Sequence, residues 1–302
     1  MFVFVLFIVF LGMKLLILCS SVYLVKMEAI ILNIWIKKEK VDKRKVAIQK
    51  ELNNIEKQEE KWKKVAEKTD ISNWKEKWEK KLPQKVYDTL EKSFCKAFEI
   101  VFEKGTGIIE KSYNREEIEQ DYQIQDYAVK LKGSKKELRT VKKSTKKANL
   151  KNQAVTTATG LGLGILGIGM PDIVMFVGIL LKGIYETALR YGIDYNVPEE
   201  RFFILKMMET ALAKGEKWEK LDSEIEEMIQ NGIAVLPEDC AVIKKQIEQT
   251  ASAFAMDMLV LKFVQGFPIV GVIGGVGNSI YYKKIMQYVD IKYQKRYLLQ
   301  LL

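Results

Sequence analysis

Apolar residues follow two patterns along the chain: unbroken runs at three places, and helical spacing nearly everywhere else. The first run, MFVFVLFIVFLGMKLLILCSSVYLV (1–25), is interrupted only by Lys14. As a helix rising about 1.5 Å per residue it suffices for a bilayer core of ~30 Å, so a transmembrane helix is expected. It lacks the basic n-region and the A-x-A-like end of a cleaved signal peptide. Two readings stand: a hydrophobic N-terminal anchor over 1–26, or a start placed too early, with translation beginning at Met27. The basic flank of Lys26, Lys37, Lys38, Lys40, Lys43, Arg44 and Lys45 would hold the body on the cytoplasmic side.

Residues 27–81 read as a charged helical arm, mostly Lys, Glu and Asn, whose i,i+4 pairs favour a solvated helix. Trp62, Trp74 and Trp78 punctuate it, as a packing face toward the body or as interfacial anchors. From Leu82 the pattern becomes globular and defines a helical domain over 82–302. Val86, Leu90, Ala97, Phe98, Val101 and Phe102 recur at helical spacing up to Gly105, which marks a core helix. Residues 107–150 continue helical but polar.

The second apolar run, AVTTATGLGLGILGIGMPDIVMFVGILL (154–181), carries only Asp172 as a charge. Pro171 divides it into two helices and opens the second. Gly160 and Gly164 form a small-xxx-small surface that permits close helix approach. Gly192 should stop this helix, and Asn196 with Pro198, Glu199 and Glu200 should start the next. A connector helix (221–230) and a long helix (238–264) lead to the third run, FVQGFPIVGVIGGVGNSI (263–280), where Gly274 should again face another helix. Strand patterns are nearly absent, so the expected fold is all-α, with two glycine-rich apolar elements behind a long charged arm.

Composition sharpens the chemistry. The chain of 302 residues has no histidine, which removes His-based general bases, Ser-His-Asp and Cys-His nucleophiles and His-ligated metal sites. Its three cysteines, Cys19, Cys95 and Cys240, are widely spaced and suit neither a disulfide framework nor a thiolate zinc site. The glycine clusters follow no strand and match neither the dinucleotide nor the P-loop pattern. Glu224, Glu226 and Glu227, and Glu238 with Asp239, read as a solvated helix face and a helix N-terminus. No catalytic, cofactor or metal site is therefore assigned. Asp172 reads as a first-turn carboxylate favoured by the helix dipole, or else as a partner for Lys182 or Arg190.

Net charge is +10, and residues 132–151 concentrate it, with nine basic side chains against the single acid Glu137. Lys135, Lys136, Arg139, Lys142, Lys143, Lys146 and Lys147 are candidate lipid-headgroup ligands. No aromatic residue interleaves them, which argues against nucleic acid. A basic cluster directly before an apolar segment suits anionic phospholipid instead.

The segment G-L-G-x-x-G-I-G-M-P-D-I (162–173), then I-Y-E-T-A-L-R-Y-G-I-D (184–194) and P-E-E-R (198–201), resembles the EcsC family, as does F-P-I-V-G-V-I-G-G-V-G-N-S-I-Y-Y (267–282). The resemblance spans about residues 82–300. Its motif positions are Gly162, Gly167, Pro171, Asp172, Glu186, Tyr191, Gly192, Asp194 and Arg201, which define the fold first. Thr187 departs from the family's usual Ile. The family takes its name from a protein encoded beside an ABC transporter, so the resemblance implies a link to membrane transport or secretion. It carries over no active site.

The expected protein is a non-catalytic, membrane-associated helical module that binds anionic lipid at the cytoplasmic face. The rivals are a soluble module for a protein partner, such as a membrane-transport component, and a lipid-acting enzyme using Asp172 or Glu186.

Overall fold

A computed structural model describes residues 2–68, 84–102, 106–163, 170–233, 241–265 and 276–302, with side chains from Lys26 onward apart mainly from 154–172 and 261–278. Among the described residues every regular element is a helix, and the fold is all-α as expected. The helices are α1 (Phe2–Lys68), α2 (Gln84–Ile100), α3 (Thr106–Glu110), α4 (Arg115–Lys132), α5 (Lys135–Leu163), α6 (Met170–Arg190), α7 (Pro198–Leu212), α8 (Gly215–Asn231), α9 (Ala241–Gln265) and α10 (Val276–Gln300).

Local chemistry sets the breaks. Asn114 caps α4, its side chain accepting from the Glu117 N–H, and Gly133 ends that helix in the left-handed region at φ 59°. Ser134 then caps α5: its hydroxyl accepts from the Lys136 N–H and itself donates to the Glu137 carboxylate. Gly192 ends α6 at φ 73°, and the Ile193 N–H closes the end on the Ala188 carbonyl at 3.0 Å. The next helix does not start on Asn196. Its cap position is Val197, with Pro198 in the first turn, and the Asn196 N–H is turned back onto the Asp194 carboxylate at 3.1 Å.

The interior is built around α6, α7 and α10. Ile184, Tyr185, Ala188, Phe203, Leu205 and Met207 are buried all round their helices, the mark of elements enclosed by others. α10 packs on α1, α5, α6 and α7, while α9 packs on α2 and α7. Phe94 and Phe254 stack between α2 and α9 with centroids 5.0 Å apart, and Phe176 meets Phe254 edge-on at 6.0 Å. Gly183 lets α6 approach α10, since a Cβ there would overlap the Tyr282 hydroxyl. Gly164, Gly167 and Gly274 lie outside the described residues, and Gly160 and Gly162 are described only as helical backbone.

The second half of the charged arm packs on the body. Ile48, Leu52 and Ile55 are buried, and Trp62 lies against Tyr288 with centroids 5.6 Å apart. Trp74 and Trp78 lie outside the described residues. Arg44 marks where α1 leaves the body: it donates to the Leu301 carbonyl at 3.0 Å and its stem fills the space above Gly133. Before it, Leu32, Ile34, Trp35 and Ile36 are exposed.

The expected transmembrane helix is corrected: among the described residues no helix is long and apolar enough to cross a membrane. The helices into which the second and third apolar runs lead are charged in their later turns. α6 carries Lys182, Glu186 and Arg190 in its second half, and α10 carries charged residues from Lys283 to Arg296. The side chains of 1–25 lie outside the described residues.

Candidate functional site

α4 and α5 form an antiparallel hairpin turning at Gly133–Ser134. α5 buries one face, with Leu138, Val141, Thr145 and Asn152 directed at the body. Its polar bonds reach α6 and α10: Asn152 donates to Glu186 at 3.2 Å, Arg190 to Ser144 at 2.7 Å, and Gln153 to Ser279 at 3.1 Å. The opposite face carries Lys136, Arg139, Lys143, Lys146, Lys147 and Lys151, all exposed, while Lys135 and Lys142 are half-buried at the edges. After Glu137 the rest of α5 contains no acid. Among the described residues Arg139 is the basic side chain of this run with an ion pair, reaching the buried Glu51 of α1 at 3.6 Å. The candidate headgroup ligands therefore separate. Arg139 holds α1, and Lys136, Lys143 and Lys147 share one solvent stripe.

The motif residues gather at the corner joining α6 to α7. Glu186 is buried between Asn152 and Lys182, whose ammonium lies 3.8 Å away and also donates to the Ser112 carbonyl. Tyr191 is buried and donates to Asp290 of α10 at 3.0 Å. Gly192 is fixed by its positive φ and by the Tyr122 ring, which a Cβ would overlap. Asp194 accepts from Arg115 at 3.3 Å. Arg201 is half-buried, and its Nε has no hydrogen-bond partner among the described residues. Lys182 and Arg190, weighed as partners of Asp172, are thus engaged elsewhere. Pro171 and Asp172 fall in the first turn of α6, with their side chains outside the described residues.

Beneath that corner sits a network the sequence did not suggest. Tyr195 donates to Glu110 at 2.6 Å, stands 2.6 Å from the Tyr113 hydroxyl, and stacks on Tyr185 at 4.1 Å. The Tyr195 bond, ahead of the opposing effect of burial, draws the Glu110 carboxyl below its usual range, and burial raises Tyr113 to about 12. Glu200 is buried with Arg296 at 2.6 Å and Tyr293 at 2.7 Å, and its burial outweighs both in raising its carboxyl. Each carboxylate here is held by a partner that fixes a helix, which is the chemistry of a brace.

A third cluster ties α1 to α8 and α10. Lys292, 1% exposed, meets Glu59 at 2.8 Å, Asp222 at 2.8 Å and Glu226 at 2.6 Å, and Lys295 bridges Glu59 and Glu226. Burial would lower the Lys292 ammonium, yet Asp222, Glu59 and Glu226 together hold it above its usual range. Glu226 is therefore turned inward, against the solvated reading, because α1 covers that side of α8. Glu227 is exposed, Glu224 pairs with Lys206 at 2.5 Å, and Glu238 and Asp239 lie outside the described residues.

The sequence model of the EcsC protein family matches residues 47–298, beginning one residue before Ile48, the first buried position of α1 among the described residues. No curated protein matches the chain, and no solved structure does.

Proposed function

The chain belongs to the EcsC protein family, and from that premise we propose that it is a non-catalytic module that docks on anionic phospholipid at the cytoplasmic face of a membrane. The observation that carries the reading is the outward stripe of α5: Lys136, Lys143 and Lys147 on one face, flanked by Lys146 and Lys151, on a helix without an acid after Glu137. Such charges are each worth ~1 kcal/mol near an anionic leaflet and are screened as salt rises. Attachment of this kind needs no spanning helix. The inner face of α5 is braced on α6 and α10 by side-chain bonds, so the stripe is presented on a rigid support.

Co-sedimentation of the full chain with phosphatidylglycerol vesicles against phosphatidylcholine vesicles tests the reading. Preferential pelleting with the anionic vesicles, fading between low and physiological salt, is expected. Equal pelleting with both refutes it. A second reading rests on the projecting part of α1, where Leu32, Trp35 and Ile36 are exposed. There the protein is a soluble helical module for a protein partner, such as a membrane-transport component, and pelleting with neither vesicle would favour that role.

A further inference from the structure

We propose that Ile124, Tyr127 and Leu131 of α4 form an apolar wedge that enters the headgroup layer of an anionic bilayer beside the lysine stripe of α5. The proposal rests on the docking reading above and adds to it the residues that leave water. These three side chains stand at i, i+3 and i+7, hence on one helical face, and are 68%, 66% and 57% exposed. Opposite them Ile118, Asp126 and Val129 are buried. An amphipathic helix that buries one apolar face and exposes a second is asking for a second neighbour.

The setting names that neighbour. α4 and α5 rest on the same underlying helices. α4 packs on α6 and reaches α10 through Tyr122 and Asp126, which meet Tyr297, and α5 packs on α6 and α10. Their outward faces consequently point to the same side. The hairpin turns at Gly133–Ser134, which sets Leu131 roughly level with Lys136 and Ile124 roughly level with Lys143. Apolar side chains flanked by ammonium groups that make no ion pair among the described residues match the layered chemistry of an anionic bilayer: phosphate outside, acyl chain beneath. Tyr127, central in the wedge, is also of the amphipathic aromatic type that settles at headgroup level.

The test uses the full chain carrying Tyr127→Trp, mixed with phosphatidylglycerol vesicles whose acyl chains are brominated, with the quenching of the parent's own tryptophans subtracted. Extra quenching at position 127 is expected, and it should vanish when Lys136, Lys143 and Lys147 are changed to Glu. Ile124→Gln with Leu131→Gln should weaken affinity for anionic vesicles on the order of tenfold or more, because each side chain loses apolar burial, with the melting temperature unchanged. No extra quenching while anionic vesicles still pellet the protein preferentially overturns the wedge and leaves electrostatic docking standing. Loss of the anionic preference itself overturns both. A parent that is dimeric, and monomeric when Ile124 and Leu131 are Gln, overturns the wedge in favour of a self-association face.

Discussion

Tyr191 at the end of α6 donates a 3.0 Å hydrogen bond to Asp290 in the middle of α10. The bond ties a motif residue to the central helix directly behind the basic stripe, since Lys142 and Lys146 both act on the same carboxyl. The carboxyl group is enclosed although the residue is half-buried as a whole, and its burial pushes it up from 3.8 to about 6, with Tyr191 and the two lysines opposing. An aspartate that keeps its proton longer in the folded chain than in the unfolded one weakens the fold as pH rises through that interval.

Asp290→Asn should therefore gain stability relative to the parent between about pH 4 and about pH 6, by up to ~3 kcal/mol above that window. The check is urea unfolding of both proteins across the interval. A difference that is flat with pH, or that shrinks as pH rises, contradicts it.

Gly192 is held by two constraints at once, φ of 73° and the Tyr122 ring where a Cβ would stand. Gly192→Ala should lose ~2–5 kcal/mol, from left-handed strain of about 1–2 and overlap of about 1–3 kcal/mol. Thermal unfolding measures it. Adding Tyr122→Ala should return the overlap part of the Gly192→Ala loss beyond Tyr122→Ala's own effect, whereas strict additivity of the two changes would deny the overlap.

Lys292→Met should be among the most damaging single changes, ~3–5 kcal/mol, because it strips Glu59, Asp222 and Glu226 of their shared ammonium in a buried place. The same change should loosen α1 selectively. Hydrogen exchange is expected to rise first around Ile55 and Trp62, ahead of α6 and α7. A uniform rise would mean that the cluster does not hold α1.

Much of this is legible in the sequence, and the exceptions share a cause. The helical class, the stop at Gly192 and Pro198 in the first turn of its helix follow from signals a few residues long. The stripe of α5 is likewise local, because nothing but spacing decides which lysines share a face. Lys292 gave no such signal: in IKYQKRY it looks like any surface lysine, and it is interior only because α1, some 230 residues earlier in the chain, crosses over it. Glu226 reads as a solvated acid for the same reason. Ile48, Leu52 and Ile55 were lost among the charges of the arm, where an apolar residue every three or four positions was outweighed by composition. Ile124, Tyr127 and Leu131 depart in the opposite sense, as their spacing matches a core stripe and only the fold leaves them uncovered.

The basic run can be divided by experiment because its members differ in what they touch. Lys136, Lys143 and Lys147 have no carboxylate within ion-pairing distance among the described residues, whereas Arg139 reaches buried Glu51. Changing the three lysines to Glu should leave the melting temperature where it is, since exposed charges far from acids contribute little to folding. It should also weaken phosphatidylglycerol vesicle binding ~10²-fold, at ~1 kcal/mol for each lost attraction. Arg139→Glu should do the reverse. One charge among several barely alters docking, but a carboxylate set against Glu51 leaves that acid buried and unpaired, for a loss of ~1–3 kcal/mol in stability. Vesicle co-sedimentation and thermal unfolding on the same two proteins read both axes. If the triple lysine variant binds as the parent does, the stripe is not the docking surface; if it melts earlier while Arg139→Glu does not, the lysines serve the fold and the arginine does not.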